Sequence, residues 1–119
     1  MHVRTHFLYL TEESWVLGDF GLSCNQVCAE TGRICNSDQQ NMVTSPELIK
    51  EKMTAAGYTC KSVDGHRAYK GAPFATGQVG HDCFYLTGGR TSACDGNAYR
   101  THRALCNCIG KDYGSLLLW

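Results

Sequence analysis

Two stretches decide the fold: Ser23-Cys24-Asn25-Gln26-Val27-Cys28-Ala29-Glu30-Thr31-Gly32, and Ala104-Leu105-Cys106-Asn107-Cys108-Ile109 near the other end of the chain. In the first, Ser23 reads as the N-cap of a helix over 24–31, and Gly32 as its stop. Cys24 and Cys28 are then one helical turn apart and share a face with Val27. The second stretch reads as a closing strand. Alternate strand residues project to one side, so Cys106 and Cys108 share a face as well. A helix with two thiols on one side meets a strand with two thiols on one side. That geometry predicts bonds between Cys24 and Cys28 on the one hand and Cys106 and Cys108 on the other, in either order.

The four remaining cysteines are Cys35, Cys60, Cys83 and Cys94. Proximity along the chain predicts Cys35 with Cys60 and Cys83 with Cys94. The total of 8 is even, which reads as four disulfides in an oxidising compartment. Zinc is the competing use, since His81 and His102 lie near other cysteines. Zinc knuckles, however, come in matched pairs with about two to four residues between ligands. The single residue between Cys106 and Cys108 fits that poorly, and no metal site is expected. Each bridge stabilises by roughly 2–4 kcal/mol, against about 5–15 kcal/mol for a whole domain. Losing two would be enough to unfold the chain.

Working outward, 119 residues make one domain rather than two. Eleven Lys and Arg balance 11 Asp and Glu, so nothing offers nucleic acid a basic footprint. No apolar run approaches the roughly 18 residues of a membrane span. At 43% hydrophobic and 18% charged, the chain is too apolar for disorder. Residues Phe7-Leu8-Tyr9-Leu10 are shorter than the apolar core of a secretory signal, about 7–15 residues, and Glu12 and Glu13 follow at once. Either the chain is an excised or incomplete piece of a longer precursor, which is the favoured expectation, or the oxidising assignment is wrong. No Asn-x-Ser/Thr acceptor occurs.

Local patterns fill in the rest. Residues 7–10 and 14–17 read as extended, with Gly18 and Gly21 marking a turn. Thr44-Ser45-Pro46-Glu47 reads as a capping box for a helix over 47–56, closed by Gly57. Leu48, Ile49, Met53 and Ala56 form its buried stripe, with Lys50, Glu51 and Lys52 outward. Asp64-Gly65 between 58–63 and 66–70 predicts a hairpin, with Cys60 opposite Tyr69. Residues 71–80 read as loop, 83–86 as a strand, and Gly88-Gly89 and Cys94-Asp95-Gly96-Asn97 as turns. The fold class is α+β: a small disulfide-rich domain with two short helices packed on a small, mostly antiparallel sheet. Its parts are an extended N-terminal segment (1–20), a cysteine-rich module (21–109) and an apolar C-terminal tail (110–119).

No catalytic set emerges. His81-Asp82-Cys83 are adjacent on a strand and point to alternating faces, so they form no triad. A thiol nucleophile needs an unbridged cysteine. Asp19, Asp64, Asp82 and Asp95 lie in or near turns, where local backbone bonding explains them. Gly88-Gly89-Arg90 lacks the lysine and helix of a phosphate loop. What remains is a half of the chain carrying Tyr69, Phe74, Tyr85, Tyr99, Arg100, His102 and Arg103. That composition suits a sugar- or protein-binding face. The densest polar run is Tyr99-Arg100-Thr101-His102-Arg103, so Tyr99, Arg100, His102 and Arg103 are the candidate contact residues. Leu116, Leu117, Leu118 and Trp119 end the chain as a candidate docking tail, folded back on the N-terminal segment or set against a partner.

The cysteine framework also resembles a known one. The run Gly21-Leu22-Ser23-Cys24-x3-Cys28-x6-Cys35, the central Cys60, His81-Asp82-Cys83, Ala93-Cys94-x-Gly96, Thr101-His102 and Leu105-Cys106-x-Cys108 carry the resemblance. They are similar to the C-terminal cysteine-rich region of the alpha-1,6-mannosylglycoprotein beta-1,6-N-acetylglucosaminyltransferases, over about residues 21–108. The resemblance implies a disulfide-bonded module in a lumenal or secreted setting. It does not imply transferase activity, because the chain is too short for the sugar-nucleotide domains and matches none of the family's donor-binding or catalytic motifs. Together these readings predict a non-catalytic recognition or structural module without a cofactor, binding a glycan or a protein surface. The alternatives are an accessory subunit of a larger assembly docked through its apolar termini, and a detached, inactive piece of a glycosyltransferase.

Overall fold

A computed structural model describes residues 13–66, 72–76, 81–88 and 92–110. Among the described residues six strands form one sheet: β1 (Ser14–Phe20), β2 (Arg33–Cys35), β3 (Ser62–His66), β4 (Phe74–Thr76), β5 (Asp82–Leu86) and β6 (His102–Gly110). Three helices among the described residues accompany it: α1 (Cys24–Ala29), α2 (Ser37–Gln40) and α3 (Pro46–Ala55). The strand order is β1-β6-β4-β5-β3, with β2 also on β6. Every pairing is antiparallel except β3 with β5. The α+β expectation holds, with a third short helix, α2, added to the two read from sequence.

Strand β6 is the spine, because helices cover both of its faces. Its residues from Ala104 to Cys108 are all buried. Ala104, Cys106 and Cys108 pack on one side with Val27, Cys24 and Cys28 of α1. Leu105 packs on the other side with Ile49 and Met53 of α3. Strand β1 follows the same alternation: Val16 joins the α1 side, while Trp15 and Leu17 join the α3 side. Gly18 lies within β1, where a turn is expected from sequence. A Cβ there would sit 2.3 Å from Cγ2 of Val27, so glycine lets α1 come down onto the strand.

The two main helices begin as their sequences dictate. The Ser23 hydroxyl accepts from the Gln26 N–H at 3.2 Å, and the Gln26 side chain accepts from the Ser23 N–H at 2.9 Å. This reciprocal cap satisfies two otherwise orphaned donors. On α3 the cap is Ser45, one residue later than the expected Thr44; its hydroxyl accepts from Leu48 N–H at 3.2 Å. Pro46 occupies the first helical position, where its missing N–H costs nothing. Gly57, at φ +82°, follows the last turn.

Three further expectations are corrected. Asp64-Gly65 is not a hairpin turn: both residues lie inside β3, which runs parallel to β5. Asp64 does make the local carboxylate-to-Gly65 N–H bond that turns use, at 2.8 Å. Glycine is needed for close approach, since a Cβ at 65 would sit 2.5 Å from Thr87 Cγ2 and 3.0 Å from the Tyr85 ring. Tyr69, the expected partner of Cys60, lies outside the described residues. The stretch 71–80, read as loop, supplies β4, which sits between β6 and β5. The third correction concerns disulfides.

Cys24–Cys106 and Cys28–Cys108 form as expected, and the order is settled. The other two bridges are Cys35–Cys94 and Cys60–Cys83, not Cys35 with Cys60 and Cys83 with Cys94. Sheet topology overrides proximity along the chain. Cys35 ends β2 opposite Cys108 on β6, on the α1 side. Cys83 on β5 lies in the α3 core, beside the Cys60 that leads into β3. No cysteine is left free, so all eight sulfurs are bridged rather than held as metal ligands. Four bridges are typical of an oxidising compartment. Among the described residues no helix is long and apolar enough to cross a membrane.

Candidate functional site

The 92–101 segment leads into β6 and carries two of the candidate contact residues, Tyr99 and Arg100; the other two, His102 and Arg103, begin β6. It is fastened at several points. Cys94 is bridged to Cys35, and its carbonyl accepts from Asn25 N–H at 2.9 Å, satisfying an open donor of the first turn of α1. Ser92 is buried; its hydroxyl accepts from Gln40 Nε2 at 2.7 Å, and its N–H donates to Asn41 Oδ1. Further on, Asn97 Nδ2 donates to the Gly21 carbonyl at 3.3 Å. His102 N–H closes the turn on the Tyr99 carbonyl at 2.9 Å, and the His102 carbonyl accepts from Gly21 N–H at 3.1 Å.

Gln40 links this segment to the spine. It is fully buried, and its Oε1 accepts from Asn107 N–H at 3.0 Å. On the same edge of β6, Leu105 N–H donates to the Pro73 carbonyl at 2.7 Å, next to β4, and the Asn107 carbonyl accepts from Asn36 N–H at 2.8 Å, next to β2. The Gln40 side chain thus fills the break in the ladder between β4 and β2, where an unpaired backbone donor would be costly. No sequence signal marked Gln40. A glutamine in a four-residue helix reads as surface.

On the α1 side an aromatic row crosses the sheet. Tyr99 meets His102 edge-on at 5.0 Å; His102 stacks on Phe74 at 4.2 Å; Phe74 stacks on Phe84 at 4.9 Å. The strand register explains the row, because Phe74 lies opposite Phe84 on one neighbour and Ala104 on the other. Phe74 is only 5% exposed, whereas Tyr99 is 60% exposed, so the row runs from core to solvent. Arg100 and Thr101 beside it are exposed.

Arg103 points elsewhere. Its Nε donates to the Gly18 carbonyl at 2.9 Å, and its guanidinium lies 5.7 Å from the Phe20 ring and 5.8 Å from the Tyr58 ring. Tyr58 packs on the α3 side, so Arg103 and His102 serve opposite faces of β6. Of the four candidate contact residues, the structure gathers Tyr99 and His102 into one row with Arg100 alongside, and holds Arg103 in a cation–π clamp apart from them. The docking tail Leu116, Leu117, Leu118 and Trp119 lies outside the described residues, as do residues 7–10.

The His81-Asp82-Cys83 run separates as its alternation implies. His81 stacks on Tyr58 at 5.1 Å, with φ at +50° and Nδ1 buried without a hydrogen-bond partner among the described residues. Asp82 accepts from the Ser62 hydroxyl, and Cys83 is bridged. Among the described residues no three or more His, Cys, Asp or Glu side chains are placed to hold a metal ion. The arrangement supports contact chemistry: a solvent-facing aromatic, an adjacent guanidinium and turn amides on a cross-linked base. No protein-family model matches the chain, and no curated protein matches it.

Proposed function

We propose that this chain is a non-catalytic recognition module, and that its contact surface is the turn bearing Tyr99 and Arg100, backed by His102. The observation that carries the reading is the aromatic row that begins in the core at Phe74 and ends in solvent at Tyr99. A tyrosine anchored this way presents a ring with little conformational freedom left to lose on binding. The ligand class is a glycan. A flat ring takes the C–H face of a pyranose, and Arg100 and Thr101 beside it supply donors and an acceptor for hydroxyl groups. The resemblance of the cysteine spacing to a region of glycan-branching transferases supports a glycan-rich, secreted or lumenal setting.

The test is a glycan panel, followed by titration of the ¹⁵N-labelled protein with the best oligosaccharide. Binding should perturb the amides of residues 97–102. Tyr99→Ala should abolish it while leaving the thermal midpoint unchanged. Absence of any binding across the panel at millimolar oligosaccharide would overturn the reading.

A further inference from the structure

The four bridges are not equally placed. Cys24, Cys28, Cys106 and Cys108 are buried together in the α1-side core, none more than 1% exposed. Cys83 is likewise buried, in the α3-side core, and its partner Cys60 is half-buried but packs against that core. Cys35 and Cys94 are both half-buried, and Cys94 is the one cysteine that packs in neither core. It sits in a turn. A thiol must reach a sulfur to exchange with it, so access ranks the bridges. Cys35–Cys94 also differs in what it holds. The other bridges join elements that already pack on or pair with one another, α1 on β6 and the start of β3 beside β5. This one ties the 92–101 segment to the end of β2; hydrogen bonds, the packing of Ala98 against the α1-side core and the Tyr99–His102 ring contact are its other restraints.

We propose that Cys35–Cys94 is a redox latch on the contact turn. A dithiol reductant opens it and releases residues 92–101, while β6 and α1 stay cross-linked by the two buried bridges. In the step the Cys35–Cys94 S–S bond breaks. The dithiol gives up two electrons and two protons and becomes a disulfide, and Cys35 and Cys94 leave as thiols. Oxidation reverses it. That the latch also governs recognition rests on the glycan-binding reading given above.

The experiment exposes the native protein to increasing dithiothreitol, quenches with one alkylating label, reduces fully and adds a second. Peptide mapping then ranks the bridges, and amide hydrogen exchange is followed on the same samples. The expected result is labelling of Cys35 and Cys94 before any other cysteine. Exchange should rise across 92–101, with protection retained in α1 and β6. The Cys35→Ser/Cys94→Ser double variant should show the same exchange pattern without reductant. Another bridge opening first, global unfolding when this one opens, or unchanged exchange across 92–101 would each overturn the latch. Binding to the glycan panel is measured in parallel and should be lost on reduction and regained on reoxidation. If the oxidised protein binds no glycan, the recognition reading fails, and the labelling and exchange results still decide the latch. If it binds and reduction leaves binding intact, the latch does not control the surface.

Discussion

The two faces of the sheet solve the same problem by different means. On one, a six-residue helix contributes little more than Val27 to an apolar cluster of small residues, and two disulfides fasten it to β6. On the other, a ten-residue helix lays Ile49 and Met53 against Leu105, Val43 and the flanks of Trp15 and Leu17, as an ordinary packed core. One disulfide joins that side, at the sheet's far strands. A six-residue helix is far below the length that is stable on its own, and here it buries little apolar area. Covalent restriction of the unfolded chain supplies what packing does not.

This contrast can be broken, and the largest effect should come from the fastened face. Cys28 and Cys108 are 80 residues apart in sequence. Closing a loop of that length stabilises by roughly 4–5 kcal/mol in the chain-entropy account. Cys24–Cys106 closes nearly the same loop, so both bridges must go: Cys24→Ser/Cys28→Ser/Cys106→Ser/Cys108→Ser should lose at least that much in urea unfolding and release α1 to hydrogen exchange. Cys60–Cys83 closes only 23 residues, and Cys60→Ser/Cys83→Ser should lose at least about 1 kcal/mol less. Equal losses would mean that loop length is not what distinguishes the bridges.

The packed face should answer to side-chain volume instead. Met53→Ala, at a fully buried position, should cost about 2–5 kcal/mol. Its effect should persist when the Cys28–Cys108 bridge is absent, because the two sit on opposite sides of β6. Strong non-additivity in that double comparison would show that the faces are not independent.

Gly18→Ala probes the junction of α1 and β1 from the opposite direction, by adding an atom. The bridges keep α1 from backing away from Val27's contact, so a loss of about 1–3 kcal/mol is expected in thermal unfolding. The same substitution should cost less in the Cys28→Ser/Cys108→Ser background, where α1 has room to shift. The smallest expected change is Tyr99→Ala, within about 0.5 kcal/mol of the parent protein, since the ring is mostly in solvent.

The fastened face was the legible one. Helical and strand periods alone put Cys24 and Cys28 opposite Cys106 and Cys108, because both patterns are local and the bridge geometry follows from them. The Ser23 cap was readable for the same reason. What sequence did not show was set by contacts between distant segments. Gly65 looks like a turn residue next to Asp64, yet it is glycine because Tyr85 of β5 and Thr87 just after it crowd it. Strand β4 is three residues long, follows Pro73 and carries no alternating pattern of its own. The pairing of Cys35 with Cys94 depends on how a turn meets the end of β2, which no spacing rule encodes. Of the candidate contact residues, the run 99–103 was visible as composition. The strand alternation that sends His102 and Arg103 to opposite faces was also readable once β6 is taken to begin at His102.

The connectivity is the most direct test of all this. Native, non-reduced protein digested under acidic conditions and analysed by electron-transfer fragmentation should yield Cys24–Cys106, Cys28–Cys108, Cys35–Cys94 and Cys60–Cys83, with no alkylatable thiol. A peptide joining Cys35 to Cys60, or α1 cysteines bonded anywhere but β6, would contradict the account.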